Sequence, residues 1–201
     1  MTQAYRQLMV EKGFDHFIIE DILKQSKVAR STFYRRFHDK YDVMNYYFKR
    51  QLQSKPTSYE ASLDYYARSV VEYYYIVAKD PDFYHQAMKT TGYHSFKNFI
   101  HREFYQWLLA IYRIKYQTDQ VPTEDQYAFD FASAGCVQML ERWLADDMQV
   151  PMDQITRWEL KNAPSHVLRL FDDSISFGHH YLTDQHIQVI LEEVKADINQ
   201  R

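Results

Sequence analysis

The chain has 201 residues, of which 46% are hydrophobic and 25% charged, with a formal net charge of −3. That length suits one large domain, or a small one followed by a medium one. The single cysteine, Cys136, excludes an intramolecular disulfide framework and suits a reducing cytoplasm. Only four glycines and five prolines interrupt the chain, and they fall mostly between periodic segments, so an all-α protein is the simplest reading. No apolar run approaches the length of a membrane span. The first residues, MTQAYRQLMVEKG, are polar, so no secretory leader is expected. Aromatic residues reach 17%, with 18 Tyr and 13 Phe, more than a helical core requires.

In chain order, residues 2–12 read as a first helix, with Ala4, Tyr5, Leu8 and Met9 inward and Thr2 available as its cap. Because this helix begins almost at Met1, no basic arm is expected ahead of it. Ile18, Ile19, Ile22 and Leu23 then repeat at helical spacing and predict a short amphipathic helix. Ser26-Lys27-Val28-Ala29 breaks that pattern without Pro or Gly. A second short helix is expected over residues 30–37, where Phe33 and Phe37 share one side. Ser31, Thr32, Tyr34 and Arg35 project around the other side, flanked by Arg30 and Arg36. So short a helix is unstable alone in water, so the phenylalanines must dock it and leave a cationic, hydroxylated, aromatic face outward. That is the face of a recognition helix in a helix-turn-helix. From Lys24 to Lys40 six lysines and arginines stand against one aspartate. Residues 1–50 hold ten Lys/Arg and six Asp/Glu, whereas the rest holds 14 and 21. A basic element on an acidic body is steered to phosphate by that element.

The run VARSTFYRRFHDKYDVM resembles the signature of TetR-family transcriptional regulators, roughly V-S-x-x-T-(F/L)-Y-x-x-F-x-(S/N)-K-x-x-L. Val28, Thr32, Phe33, Tyr34, Phe37 and Lys40 meet it, and Gly13-Phe14 matches the turn after the family's first helix. The resemblance covers about the first fifty residues; the remainder agrees in length and helical character. Lys27 stands where the family usually has Gly in the turn, where a positive φ would be less comfortable. Ala29 replaces the usual capping Ser, at a cost of about 1 kcal/mol. The resemblance implies double-stranded DNA as partner, with Lys27, Arg30, Ser31, Thr32, Tyr34, Arg35 and Lys40 as contact residues. Thr32, Tyr34 and Lys40 would mainly meet phosphates, and Arg30, Ser31 and Arg35 base edges or flanking phosphates.

A linking helix is expected from Lys40 to about Gln53, and Lys55-Pro56-Thr57-Ser58 is the expected boundary between a DNA-binding domain, 1–50, and a regulatory domain, 51–201. Helices follow over 59–79, 82–91, 94–116, 124–148, 151–162 and 164–171. In the third of these segments, over 94–116, Phe96, Phe99, Ile100, Phe104, Trp107, Leu108, Ile111 and Ile114 point inward. Thr183 caps a last amphipathic helix, residues 184–200, with no role readable from its pattern. The expected architecture is therefore all-α: a three-helix helix-turn-helix bundle joined by a linking helix to a larger helical ligand-binding and dimerisation domain.

The resemblance also implies a homodimer and an unidentified small-molecule effector. For the dimer, Ala132 and Gly135 would let a partner helix approach, while Met139, Leu140, Trp143, Ile155 and Trp158 supply contact area. The same residues could instead face the subunit's own core. For a ligand pocket, Tyr66, Tyr73, Tyr74, His85 and Met88 offer apolar walls with polar tips, as do Phe104, Trp107, Tyr112 and Phe129. The alternative is that these aromatics simply fill the core. A further alternative is a C-terminal domain that docks a partner protein. His94 with His101, and His179-His180 with His186, lack the spacing of a metal site, and no cofactor is expected. No phosphate-cradling loop or catalytic triad is present, so no enzymatic activity is expected.

Overall fold

A computed structural model describes residues 1–52, 62–174 and 183–200. Helix α1 (Thr2–Lys12) buries Tyr5, Leu8 and Met9. Thr2 is its first helical residue, and Met1 takes the cap position without a side-chain bond. The Thr2 hydroxyl instead accepts from Arg50 Nη1 at 3.0 Å. Gly13, at φ 79°, closes the helix with its N–H on Met9 O, a conformation L side chains resist. A short 3-10 turn, Phe14–His16, leads to α2 (Ile19–Ser26). Of the expected apolar stripe, Ile22 is fully buried and Ile19 and Leu23 pack against the core, but Ile18 is 60% exposed. Ile18 sits one residue before the helix in extended backbone, so helical spacing does not carry it to the inner face.

Helix α3 (Arg30–Tyr34) is three residues shorter than its pattern suggests. Beyond it the chain makes a turn in which Arg36 and Phe37 both donate to Phe33 O, at 2.9 and 3.0 Å. Phe33 is fully buried and its ring lies 5.7 Å from that of Phe37, so the predicted docking holds. Helix α4 (Lys40–Lys49) also ends early, before the expected Gln53. Its start is well closed: Asp39 accepts from Asp42 N at 2.9 Å and Asp42 from His38 N at 2.8 Å, satisfying amides that lack helical partners.

The expected linker at 55–58 lies outside the described residues, as do His179 and His180. Helix α5 (Leu63–Lys79) is capped by Ser62. Asp80 breaks it and Pro81 opens α6 (Pro81–Met88), since proline's missing N–H costs nothing in a first turn. Helix α6 stops before Gly92 because Thr90 donates to Ala87 O at 2.6 Å and accepts from Phe96 N at 3.0 Å. That pair folds the chain back into α7 (Phe96–Tyr116), where Ile114, expected inward, is 47% exposed. Helix α8 (Thr123–Ala145) ends three residues before Met148, because Asp147 and Met148 adopt left-handed backbone. Then come α9 (Met152–Lys161), α10 (Ser165–Leu168) and α11 (Asp184–Asn199), the last capped by Thr183 as expected. Helix α11 buries Ile187, Ile190, Leu191 and Val194 against α5 and α9, which gives this segment a packing role.

One apolar core runs from Tyr5 in α1 to Val194 in α11, so the bundle and the regulatory helices are packed together. Phe48, near the end of α4, meets Tyr73, Tyr84, Phe96 and Phe99 with ring centroids 5.4–6.4 Å apart, all edge-on. Such edge-to-face contacts are favoured by the ring quadrupole. Beside this cluster, the carboxylate of Asp80 accepts both Arg6 Nε and Nη2, at 2.7 and 2.6 Å, and Tyr47 Oη at 2.8 Å. One buried acid at the α5–α6 joint thus holds α1 and α4 together. Burial, then the neighbouring Asp80 carboxylate, pushes the Tyr47 hydroxyl well above its ordinary range.

Two substitutions test this framework. Lys27 has φ 55° and ψ 30°, so Lys27→Gly should raise stability by a few tenths to about 1 kcal/mol in urea unfolding. Asp80→Ala removes the acceptor shared by Arg6 and Tyr47 and should cost about 2–4 kcal/mol. A loss below about 1 kcal/mol would mean the latch carries little of the joint.

Candidate DNA interface and ligand cavity

Docking Phe33 inward decides what α3 presents. Ser31, Tyr34, Arg35 and Arg36 are exposed, and Thr32 is partly so. The Tyr34 ring stands edge-on to Phe33 at 5.2 Å and remains 47% exposed. Lys27, on the turn before α3, is exposed as well. These six side chains form one polar, cationic surface. Two expected contact residues are placed differently. Arg30 is exposed but ion-paired with Glu20 of α2. Lys40 turns inward: its ammonium donates to Phe14 O at 2.6 Å and Phe17 O at 3.0 Å. It also lies 4.1 Å from the Phe14 ring centroid. Burial pulls its pKa down. Two of its three donors close the α1–α2 connection, which is a structural use that sequence spacing could not reveal.

Between α4, α5 and α7, with α8 and α9 behind them, lies a cavity of about 340 Å³, near the lower end for small-molecule sites. Four of the expected residues line it: Tyr66, Tyr73, Phe104 and Trp107. Tyr74 reaches its inner end, where its hydroxyl donates to Glu159. The remaining four do not line it. Met88 and Phe129 are buried in the core, Tyr112 packs on Phe129 with centroids 6.2 Å apart, and His85 is half-buried on α6. Phe48, Lys49 and Leu52 of the α4 segment form part of the wall. Lys49 and Glu103 also make a 2.6 Å ion pair there.

Glu159 and Cys136 were not expected in this site, yet both line it. The Glu159 carboxylate accepts Tyr74 Oη on one oxygen and Cys136 Sγ, at 2.9 Å, on the other. Burial raises the Glu159 pKa, and the bonds from Cys136 and Tyr74 pull it back. Burial, with the adjoining Glu159 carboxylate, also pushes the Cys136 thiol well above its usual value, which makes it a packed rather than a reactive thiol. A signal for both existed. Glu159 follows Ile155 by four positions and Thr156 by three, and Cys136 lies midway between Ala132 and Leu140, so each sits on its helix's inner stripe.

Helix α8 divides the expected dimer residues. Ala132, Leu140 and Trp143 are buried in the subunit's own core, and Trp143 Nε1 donates to Val150 O at 2.7 Å. Ile155 is also partly buried against that core. Gly135, Met139 and Trp158 do face outward, and nothing approaches the open side of Gly135 within 4 Å. Two residues absent from the expectation extend this face: Tyr127 is 73% and Phe131 65% exposed. Tyr127, Phe131, Gly135 and Met139 recur every fourth residue and make a continuous stripe.

His101 pairs with Asp130 at 3.0 Å and His186 with Asp64 at 3.0 Å. No three metal-ligating side chains converge among the described residues. Among those residues no helix is long and apolar enough to cross a membrane.

Residues 2–47 match the family model described as bacterial regulatory proteins, tetR family. Residues 66–158 match one described as transcriptional regulator C-terminal region. No curated protein matches the chain. The two matched regions correspond to the helix-turn-helix bundle and to the helices around the cavity.

Proposed function

The chain belongs to the TetR family of helix-turn-helix, DNA-binding transcription regulators, and from that premise we propose a homodimeric repressor released from a palindromic operator by a small molecule. The observation that carries the DNA contact is the outward face of α3, with Ser31, Tyr34 and Arg35 exposed beside Phe33 fully buried. A rigidly docked helix presenting a hydroxyl, a phenol and a guanidinium suits a major groove flanked by phosphates. Arg30 would exchange Glu20 for phosphate or a base edge on binding. Lys40 would act mainly by fixing the connection between α1 and α2. The protein acts on the chromosome in the cytoplasm and carries out no chemistry of its own.

The dimer reading rests on the α8 stripe together with Trp158 of α9, which is 50% exposed. A two-fold axis across that face would make a four-helix contact and set two α3 helices at operator half-sites. The effector reading rests on the cavity, whose wall includes Phe48, Lys49 and Leu52. Filling it would press on the segment that leads to α3. The adaptor alternative draws less support, because Tyr66, Tyr74, Phe83 and Tyr84 are buried and cannot form a docking surface.

Fluorescence anisotropy with the DNA upstream of its own gene, titrated against salt, tests the DNA contact. Tyr34→Ala should weaken specific binding by about 1–3 kcal/mol, and wild-type affinity should fall steeply with salt. Indifference to both, with no genomic fragment competing, would remove the operator reading. Phe131→Glu should convert the dimer to a monomer in analytical ultracentrifugation and weaken operator binding. A persistent dimer would move the interface elsewhere.

A further inference from the structure

We propose that the effector cavity takes a protonated amine on a small hydrophobic frame, with its ammonium seated on the Glu159 carboxylate. This rests on the effector reading and adds the chemical class of the ligand. Glu159 accepts one donor on each oxygen, from Tyr74 and from Cys136, and a carboxylate has acceptor capacity left for a further donor. Among the described residues no lysine, arginine or histidine pairs with it. Its two nearest charged neighbours on α9, Arg157 and Lys161, both turn to Asp184 at the start of α11. Lys49, the cation in the cavity wall, is held by Glu103. A partly buried carboxylate therefore lines the cavity with hydrogen bonds but no counter-ion among the described residues, and a cation would stabilise its charged form.

The rest of the cavity suits such a cation's frame. Phe48, Tyr66, Tyr73, Phe104 and Trp107 supply aromatic wall, and ring faces attract cations as well as apolar groups. The Tyr73 hydroxyl, buried in the same wall, has no hydrogen-bond partner among the described residues and is available to a ligand's N–H. A ligand carboxylate would meet like charge at Glu159. A neutral alcohol would gain the hydrogen bond without the charge. The volume of about 340 Å³ favours a compact ligand with one ring over an extended polycyclic one.

The test compares 4-phenylbutylamine, 4-phenylbutanol and 4-phenylbutyrate by calorimetry on the full chain, with operator release read in parallel. The amine should bind wild type about tenfold or more tighter than the alcohol, and the butyrate weakest. Glu159→Gln, which keeps the side chain's shape, should abolish the preference for the amine. Wild type supplies a second readout: that preference should fade as pH falls, sooner than for an ordinary carboxylate, because burial raises the Glu159 pKa. Equal or better binding of the alcohol, or a preference that survives Glu159→Gln, overturns the amine class while a ligand still occupies the cavity. If none of the three binds, the amine class falls. Ala110→Trp, which fills the cavity, then decides the effector reading: altered operator affinity retains it, and unchanged affinity removes it.

Discussion

The joint between DNA-binding bundle and regulatory helices depends on Asp80. Its position after Lys79 ends α5, its neighbour Pro81 begins α6, and its carboxylate receives three donors from two other helices. Each donor comes from an element that must keep its place if α3 is to be presented correctly. Arg6 fixes α1, on which α2 packs, and Tyr47 fixes α4. A fork-shaped guanidinium on a carboxylate specifies orientation as well as proximity. The Phe48 ring cluster supplies area beside it, but area alone would let α4 slide. The Tyr47 hydrogen bond to Asp80 ties α4 to the same acid that holds α1.

Glu159 is the instructive contrast. Both acids lie within the protein, yet Asp80 has its cation inside the chain and Glu159 does not. A buried carboxylate satisfied by Arg6 is a finished structural element, whereas one holding only a phenol and a thiol is incomplete as an ion pair. Burial with unsatisfied charge is tolerated where function needs it, and this one adjoins a cavity. Its carrier helix α9 packs on α5 and α11, so a charge arriving there meets a wall braced from behind. Another part of the wall is the α4 segment, which has Phe48 in the ring cluster and Tyr47 on Asp80. The cavity and the latch therefore share one helix.

Much of this architecture was legible from sequence. The first helix's bounds, the docking of Phe33 and Phe37, Pro81 as a helix start and Thr183 as a cap all follow from local rules acting within one turn. What eluded the sequence depends on contacts made across space. The Lys40 ammonium reaches Phe14 and Phe17, 26 and 23 residues away, and a motif position cannot reveal that destination. The aromatic excess suggests cavity lining, but Tyr112 and Phe129 pack elsewhere, because residue type does not say which core gap remains unfilled. Trp143 and Trp158 look equivalent in composition. The phase of α8 against α7 and α10 sends the first inward, and the phase of α9 leaves the second exposed. Glu159 was missed for the opposite reason: its phase was readable, but a carboxylate on an inner stripe was passed over in favour of aromatics.

The energetics of release then turn on a difference between states. An effector shifts operator affinity only by as much as it distinguishes the DNA-competent arrangement from the other. Tyr66 and Trp107 lie on α5 and α7, within the regulatory helices. Phe48 lies on α4 and Leu52 just beyond it, so a ligand touching them bears on the segment that leads to α3. Under the proposed reading, a ligand anchored at Glu159 would bear on α4 wherever it also touches Phe48 or Leu52. One charge-assisted bond is worth about 1.5–3 kcal/mol, comparable with a typical allosteric coupling of about 1–3 kcal/mol. The anchor supplies affinity and register, and the steric demand on α4 supplies the difference. Under the proposed effector reading, regulation through this cavity would draw on both ends of the ligand, a charge for Glu159 and enough hydrophobic reach to touch Phe48.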